Sequence, residues 1–332
     1  MRLRVTNLLA GGCLSIALTA TALGQQGTGA VDSHVAAARA AAGHEHRGLF
    51  DAVCSQTSLR PAAPKPPAAS SGPRQAPPRS QWYAEPVKVF DNLYWVGQTE
   101  YSAWAVTTPD GIILIDTIYD YAVEAEVVDG LKKLGLDPAT IKYAIVSHGH
   151  ADHHGGARYL QDHFGTRVIM AAPDWDLVQQ NTSVPSPKRD MVATDGQKLT
   201  LGDTTVSLYL TPGHTAGTIS TLVPVKDQGR PHLAASWGGT LFVFQRTPEN
   251  FRRYIASAER FRDIVAKAGA DVLISNHTIY DGSKLKQPAL ATRKPGDPHP
   301  YVIGTDAVTR YLTVAAECAK AALAGLTTEG QR

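Results

Sequence analysis

The sequence feature that most constrains the fold is a cluster of metal-binding side chains directly after an apolar stretch. Residues 141–146 (Ile-Lys-Tyr-Ala-Ile-Val) form a short apolar run of the kind found in buried strands. Residues 147–156 then read Ser-His-Gly-His-Ala-Asp-His-His-Gly-Gly, with five potential ligands within seven residues. Zn²⁺ favours imidazole and carboxylate ligands, and a loop at the carboxyl end of a strand can direct several of them at one ion or two. This pattern predicts a metal site on the loop after a buried strand.

The hydrophobic pattern on either side of this segment predicts two strand-rich blocks with helices around them. Strands are expected near residues 87–90, 93–96, 103–106, 112–115, 141–146, 167–171, 198–201, 205–210, 218–223 and 272–275. Helices are expected over residues 123–134, 156–164, 248–268 and 306–323. Such elements bury their apolar faces when two sheets pack together with helices outside. We therefore expect an α/β fold, a four-layer αβ/βα sandwich.

The first 80 residues differ in composition from the rest of the chain. Residues 1–24 combine a basic start with an apolar stretch diluted by Gly, Ser and Thr, which predicts a cleaved secretory signal rather than a retained membrane helix. Residues 25–80 contain an Ala-rich peripheral helix and a Pro- and Ala-rich linker. Residues 81–332 form the domain that carries the metal site. We expect an exported protein, periplasmic or secreted, that starts near Gln25 and keeps no stable membrane anchor.

Charge and cysteine content narrow the possible partners. The chain has 32 basic and 30 acidic residues, so it offers no electrostatic footprint for nucleic acid, and we expect a small-molecule substrate. Its oligomeric state stays open. After signal removal Cys54 and Cys318 remain, and the sequence leaves open whether they form a disulfide or stay as two thiols.

The segment 147–156 resembles the His-x-His-x-Asp-His signature of the metallo-β-lactamase superfamily, and the resemblance extends over most of residues 85–325. Residues 211–217 (Thr-Pro-Gly-His-Thr-Ala-Gly) and 275–277 (Ser-Asn-His) resemble the segments that donate the remaining ligands. The details are most similar to the third subclass of metallo-β-lactamases. That resemblance implies two Zn²⁺ ions, the first bound by His148, His150 and His214 and the second by Asp152, His153 and His277. His154 matches no ligand position.

The resemblance also implies an activity. Paired zinc ions lower the pKa of a bound water towards ~7 and so provide a hydroxide nucleophile, with Asp152 as the catalytic residue that orients it. Thioester hydrolases of the superfamily carry an Asp, and another lactamase subclass a Cys, on the loop that reads Ser-Trp-Gly-Gly-Thr at residues 236–240 here. The implied reaction is hydrolysis of a cyclic amide of the β-lactam type, as in antibiotic resistance.

Substrate binding departs from that pattern. Serines that hold the β-lactam carboxylate are replaced by Gly238 and Gly239, so we expect inefficient hydrolysis that improves in Gly239→Ser. Ser236, Thr240 and Lys284 are the candidate replacements. Ala270 stands where such enzymes often carry a cysteine that pairs with the position of Cys318, so that bridge cannot form.

Other functions remain open beside the β-lactamase interpretation. A lactonase or other ester hydrolase of the same fold is the main alternative. An iron-dependent sulfur oxygenase would use a mononuclear site of two His and one Asp, which the retention of His153 and His277 disfavours. A non-catalytic zinc-binding protein is the alternative outside enzymes.

Overall fold

The first sheet places the predicted metal loop at the end of a buried parallel strand. The structure is a computed structural model that describes residues 17–57 and 76–329. Seven strands lie side by side in sequence order: β1 (Val87–Lys88), β2 (Leu93–Trp95), β3 (Trp104–Thr108), β4 (Gly111–Ile115), β5 (Ile141–Ile145), β6 (Arg167–Ala171) and β7 (Met191–Ala193). The first four are antiparallel, as predicted, and β4 to β7 are parallel.

The second sheet has five strands in the spatial order β12-β11-β10-β9-β8. Their bounds are β8 (Lys198–Leu201), β9 (Thr204–Leu210), β10 (Ile219–Asp227), β11 (Arg230–Trp237) and β12 (Val272–Ser275). All neighbours are antiparallel except β11 and β12, which are parallel. The sequence pattern missed β11, whose polar first half gives no apolar run.

Helices cover the outer faces of both sheets. They are α1 (Ala17–Ala42), α2 (Arg47–Phe50), α3 (Asp129–Lys133), α4 (Ala151–His154), α5 (Ala157–Phe164), α6 (Ala172–Gln180), α7 (Pro248–Ala268), α8 (Thr278–Asp281), α9 (Ser283–Ala291) and α10 (Thr305–Glu329). Wider π-helical turns extend α2 over Asp51–Thr57 and precede α3 over Glu124–Val128. The predicted helices near residues 156–164 and 248–268 are confirmed almost to the residue.

Strand β4 shows how the layers form. Ile113 and Ile115 point into the cluster between the sheets, whereas Ile112 and Leu114 point into the cluster under the helices of the first sheet. Because side chains alternate along a strand, a strand buried on both faces must be apolar throughout. The four-layer αβ/βα sandwich is confirmed.

The described N-terminal helices pack on the C-terminal one. Helix α1 runs along α10, and Leu49, Phe50 and Val53 lie in the same buried cluster as α7 and α10. Cys54 and Cys318 form a buried disulfide. The boundary placed at residue 81 therefore separates two parts of the sequence that share one core.

Two N-terminal predictions lie mainly outside the described residues. The predicted signal falls outside them up to residue 16, and the Pro-rich linker falls outside them up to residue 75. Among the residues that are described, no helix is long and apolar enough to cross a membrane.

Candidate metal centre

The six predicted ligands come from four places in the chain and meet between the two sheets. His148 and His150 lie on the loop after β5, and Asp152 and His153 lie on α4 directly behind it. His214 comes from the loop between β9 and β10, and His277 lies two residues after the end of β12. The structure brings them together as two groups, here called the first triad (His148, His150, His214) and the second triad (Asp152, His153, His277). Within each group the ligand atoms lie within 4.8 Å of one another.

The nitrogen atoms of the first triad converge on one point. His214 Nε2 lies 3.0 Å from His148 Nε2 and 3.1 Å from His150 Nδ1. Zn–N bonds of about 2.0–2.1 Å in a tetrahedral set separate the ligand nitrogens by roughly 3.3 Å. The observed spacing is close to that value.

The protonation of the first triad can be deduced from its other contacts. His148 Nδ1 donates to the carbonyl of Gly238 at 2.8 Å, and His214 Nδ1 donates to the carbonyl of Leu241 at 2.6 Å. Burial is the largest cause that lowers the pKa of His148 well below its usual value and that of His214 to about 3, so both rings are neutral. A neutral imidazole whose Nδ1 carries the proton has a bare lone pair on Nε2. Two such lone pairs face each other, which is the arrangement that a bound cation stabilises.

The second triad is centred on Asp152. Its Oδ2 lies 3.2 Å from His153 Nε2 and 3.7 Å from His277 Nε2. Burial lowers the pKa of His153, but the carboxylates of Asp152 and Asp116 outweigh burial and raise it to about 10. Burial also lowers the pKa of His277, to about 3. The chemistry of this donor set, two imidazoles and one carboxylate, matches what zinc prefers.

Asp116 supports both the loop and the second triad. It follows β4 with a φ of 60°, a conformation that non-glycine residues rarely adopt. Its carboxylate accepts hydrogen bonds from Ser147 N at 2.6 Å, Ser147 Oγ at 2.8 Å and His153 Nδ1 at 2.9 Å. The last contact leaves His153 Nε2 facing Asp152. A carboxylate behind a ligating histidine fixes the ring orientation and raises its basicity.

Gly238 and Gly239 build the wall behind the histidines of the first triad. The Gly238 carbonyl accepts from His148 Nδ1 and from Asn276 Nδ2 at 3.0 Å. A Cβ at Gly238 would lie 1.9 Å from the carbonyl oxygen of Ile219, and one at Gly239 would lie 2.3 Å from His214 Cβ. The expectation that a serine at residue 239 improves substrate binding is therefore wrong, because the site has no room for its side chain.

The three predicted substrate-binding residues differ in burial and in their partners. Ser236 is buried in β11 between two neighbouring strands. The Thr240 hydroxyl is buried and cannot reach a substrate in this arrangement. Lys284 is half exposed and forms an ion pair with Glu100. Ser236 and Thr240 are thus buried away from solvent, and a substrate contact at Lys284 stays a prediction.

An aromatic surface borders the second triad. The ring of Tyr101 lies 5.2 Å from the ring of His277 and 5.1 Å from that of Tyr119. Tyr119 in turn stacks on Tyr121 at 5.1 Å, and Trp82 contacts Tyr121 at 5.6 Å. The three tyrosines are partly exposed, so they offer an apolar wall to a molecule that approaches the site.

Comparison with known proteins agrees with this geometry. The family model described as metallo-beta-lactamase superfamily matches residues 96–227. The fold is similar to that of BJP-1, a subclass B3 metallo-β-lactamase of Bradyrhizobium japonicum, at 27% identity and a TM-score of 0.63, covering 71% of this chain and 92% of that one. Residues 96–227 thus match the metallo-β-lactamase superfamily, and the chain has the metallo-β-lactamase fold.

Curated relatives within this superfamily are hydrolases of more than one kind. A hydroxyacylglutathione hydrolase of Acidiphilium cryptum is 28% identical over 58% of this chain and 72% of its own length. The N-acyl homoserine lactonase AttM of Agrobacterium fabrum is 32% identical over 29% of this chain, and the match spans only 41% of AttM. Together with the matched family model, these relatives support a metallo-hydrolase, and the chain has residues able to hold metal ions.

The sequence argument missed some residues of this site. Asp116 follows a buried strand adjacent to β5, and that position was a usable signal. Asp174 lies in an α6 that the hydrophobic pattern did not predict, and only the three-dimensional arrangement places it beside the ligand loops. His154 is fully buried and belongs to neither triad.

Proposed function

We propose that this chain is a zinc-dependent hydrolase that binds two Zn²⁺ ions and opens a cyclic amide of the β-lactam type, with low efficiency. The observation that carries the proposal is the convergence of the two triads, with bare nitrogen lone pairs facing each other at 3.0 Å in the first. The likeness to a subclass B3 enzyme over 92% of its length supports it.

The two triads and Asp152 have separate roles in the proposed reaction. The chemistry that bound zinc supplies is activation of water near neutral pH and polarisation of the carbonyl that is attacked. The first triad would hold one ion through three imidazoles, and the second would hold the other through Asp152, His153 and His277. Burial raises the pKa of Asp152, but His153 and the other histidines outweigh burial and lower it, so the carboxylate stays ionised. An ionised Asp152 can accept a hydrogen bond from the attacking water and orient it.

Low efficiency follows from the missing carboxylate anchor. Gly238 and Gly239 offer no hydroxyl, Thr240 is buried, and Lys284 is held by Glu100. A hydrogen bond to a charged group contributes about 1.5–3 kcal/mol, so the loss of one weakens transition-state binding roughly 10- to 150-fold. We expect a high KM for penicillins and cephalosporins.

A second candidate function is hydrolysis of a lactone or another ester. The lack of a residue that binds a substrate carboxylate favours this second function, because a neutral lactone or ester has no carboxylate to bind. The aromatic wall of Tyr101 and Tyr119 suits an apolar acyl group. Similarity to a thioester hydrolase and a lactonase supports this alternative.

We also propose that the enzyme works outside the cytoplasm on small molecules, with its mature chain starting near Gln25. The apolar stretch in residues 1–24 and the Cys54–Cys318 disulfide support this location, because disulfides persist in oxidising compartments. N-terminal sequencing of the protein from its native host tests it, and a chain that starts at Met1 would contradict it.

The experiment that tests the function combines elemental analysis with two assays. Purified protein should contain two zinc ions per chain and should turn over a chromogenic cephalosporin slowly, with a high KM. A simple lactone without a carboxylate is assayed in parallel. Turnover of the lactone alone would select the second candidate, and bound zinc without turnover of either substrate would indicate a zinc-binding protein.

A further inference from the structure

Asp174 joins the two loops that carry the first triad. It lies in the first turn of α6 and is 1% exposed. Its Oδ2 accepts hydrogen bonds from Gly149 N and from Thr215 Oγ1, both at 2.7 Å, and its Oδ1 accepts from Gly217 N at 2.8 Å. Gly149 stands between two ligands of the triad and Thr215 directly follows the third. Two of the three contacts are therefore made to residues beside ligands, and the third is made to Gly217 on the loop of His214.

Both loops approach Asp174 closely, and the approach at Gly217 requires glycine. A Cβ at Gly217 would lie 2.7 Å from Asp174 Oδ1, and one at Gly149 would lie 3.2 Å from the Asp174 carbonyl oxygen. The carboxylate thus occupies a space that the main chains of both loops enclose. This fit leaves the two loops little freedom to move relative to each other.

We propose that Asp174 is a positioning residue that sets the geometry of the first triad, and through it the affinity for the first metal ion. This inference rests on the proposed dizinc function. The two loops are distant in sequence, since Asp174 lies 25 residues after Gly149 and 41 residues before Thr215. One buried carboxylate fixes the position of one loop against the other before any ion binds. Groups that orient metal ligands in this way typically change metal affinity about 10- to 100-fold when removed.

The second triad is held by other carboxylates. Asp116 holds His153, and Asp281, 2% exposed, accepts from Ser275 N and Ser283 N, both at 2.9 Å, at the strand end that precedes His277. Loss of Asp174 should therefore affect one ion more than the other. A residue with a purely structural role would lower affinity at both sites alike.

An asparagine at residue 174 keeps the shape of the side chain but has only one acceptor oxygen. Whichever way the amide is turned, its NH₂ faces a main-chain N–H, either that of Gly149 or that of Gly217. Asp174→Asn thus breaks one tie between the loops. Thr215→Val removes the hydroxyl and with it the contacts to Asp174 and to Thr218 Oγ1, and Thr215→Ser retains the hydroxyl.

The test measures the dissociation constants of both Co²⁺ ions by chelator competition, with their absorption bands, in Asp174→Asn, Thr215→Val and Thr215→Ser. Asp281→Asn serves as the matched buried-carboxylate control. We expect the first ion to bind about 10- to 100-fold more weakly in Asp174→Asn and several-fold more weakly in Thr215→Val. Thr215→Ser and Asp281→Asn should keep wild-type affinity for the first ion.

Three other outcomes have distinct meanings. Wild-type binding of two ions together with unchanged first-ion affinity in Thr215→Val and Asp174→Asn would overturn the role of Asp174 alone. An equal loss of affinity at both sites in these variants would also overturn it. A wild-type protein that binds neither ion would overturn the proposed function and this inference with it. Should Asp174→Asn fail to fold, the comparison of Thr215→Val with Thr215→Ser decides.

Discussion

The Nε2 atoms of His148 and His214 lie 3.0 Å apart, and the other nitrogen of each ring donates to a main-chain carbonyl. Neither ring can rotate to relieve the contact without losing that hydrogen bond. The geometry therefore holds two lone pairs close together in the folded protein, and a cation bound between them would offset their electrostatic repulsion.

Removal of metal should accordingly destabilise the fold. A ligand that binds only the native state stabilises it by about 4 kcal/mol when present at 1,000 times its Kd. We expect the midpoint of thermal unfolding to fall when the purified protein is treated with a chelator and to recover when zinc is added back. Calorimetry with and without chelator checks this, and an unchanged midpoint would contradict it.

His277→Ala should remove mainly the second ion, because the first triad does not include this residue. The expected zinc content falls from two ions per chain towards one in dilute zinc, and turnover falls with it. His163→Ala, at an exposed histidine on α5, is the control and should keep both ions. Full zinc content in His277→Ala would show that the second triad is wrongly assigned.

Gly239→Ser should damage the site that the sequence pattern suggested it would improve. The added Cβ would lie 2.3 Å from His214 Cβ and 2.7 Å from its Cγ, so the ring must move. We expect loss of the first ion and a fall in turnover of 10-fold or more. Gly325→Ser is the matched control, because no atom lies within 4 Å of a Cβ there. Retained zinc and faster cephalosporin hydrolysis in Gly239→Ser would refute the steric argument.

Cys54→Ala and Cys318→Ala should each lower the free energy of unfolding by about 2–5 kcal/mol, because the disulfide joins residues 264 positions apart. The double variant should lose little more free energy of unfolding than either single variant, since each single substitution already removes the bond. Denaturant unfolding of the three variants, and of the wild type with and without reductant, measures the effect. Strictly additive single effects would mean that the bond does not form.

Glu126→Gln should make stability less dependent on pH. Glu126 is 1% exposed, and burial raises its pKa to about 8, with Arg79, Glu85 and Lys133 as the charged groups that act on it. Because the pKa of this carboxyl is higher in the folded than in the unfolded state, the free energy of unfolding falls as pH rises from about 4.5 to about 8. The glutamine keeps an acceptor for Ala84 N, which bonds Glu126 Oε1 at 3.0 Å.

We therefore expect the free energy of unfolding of the glutamine variant to exceed that of the wild type by on the order of 1–3 kcal/mol near pH 8 and to equal it near pH 4. Denaturant midpoints measured across this range provide the check. A constant difference between the two proteins at every pH would refute the titration of Glu126.

The sequence could predict what depends on local pattern. The ligand motif lies directly behind an apolar run, so both the strand β5 and the loop that carries His148 and His150 are visible without a structure. Helix α7 begins at Pro248 behind the capping Thr247 and ends at Gly269, which are recognisable start and stop signals. The remaining ligands were found through the resemblance, because their spacing of 60 residues or more holds no local information.

The sequence could not predict features that depend on distances between atoms in the folded chain. Gly238 and Gly239 look like lost hydroxyls in the sequence, whereas in space they are positions where a Cβ has no room. Ser236 and Thr240 carry suitable groups but are buried, and burial of individual strand residues follows from tertiary packing. The pairing of Cys54 with Cys318 likewise depends on how α1 and α2 lie against α10, which no periodicity reveals.

The bond between Cys54 and Cys318 also sets a timetable for biosynthesis. At about 5–20 residues per second, the ribosome needs on the order of 13–50 s to make the 264 residues that separate the two cysteines. During that interval Cys54 cannot pair with Cys318, and the other cysteine that precedes Cys318 in the sequence is Cys13. Removal of the predicted signal would remove Cys13 and so exclude a non-native bond between Cys13 and Cys54. Helices α1 and α2 are thus synthesised well before the bond that ties them to α10 can form.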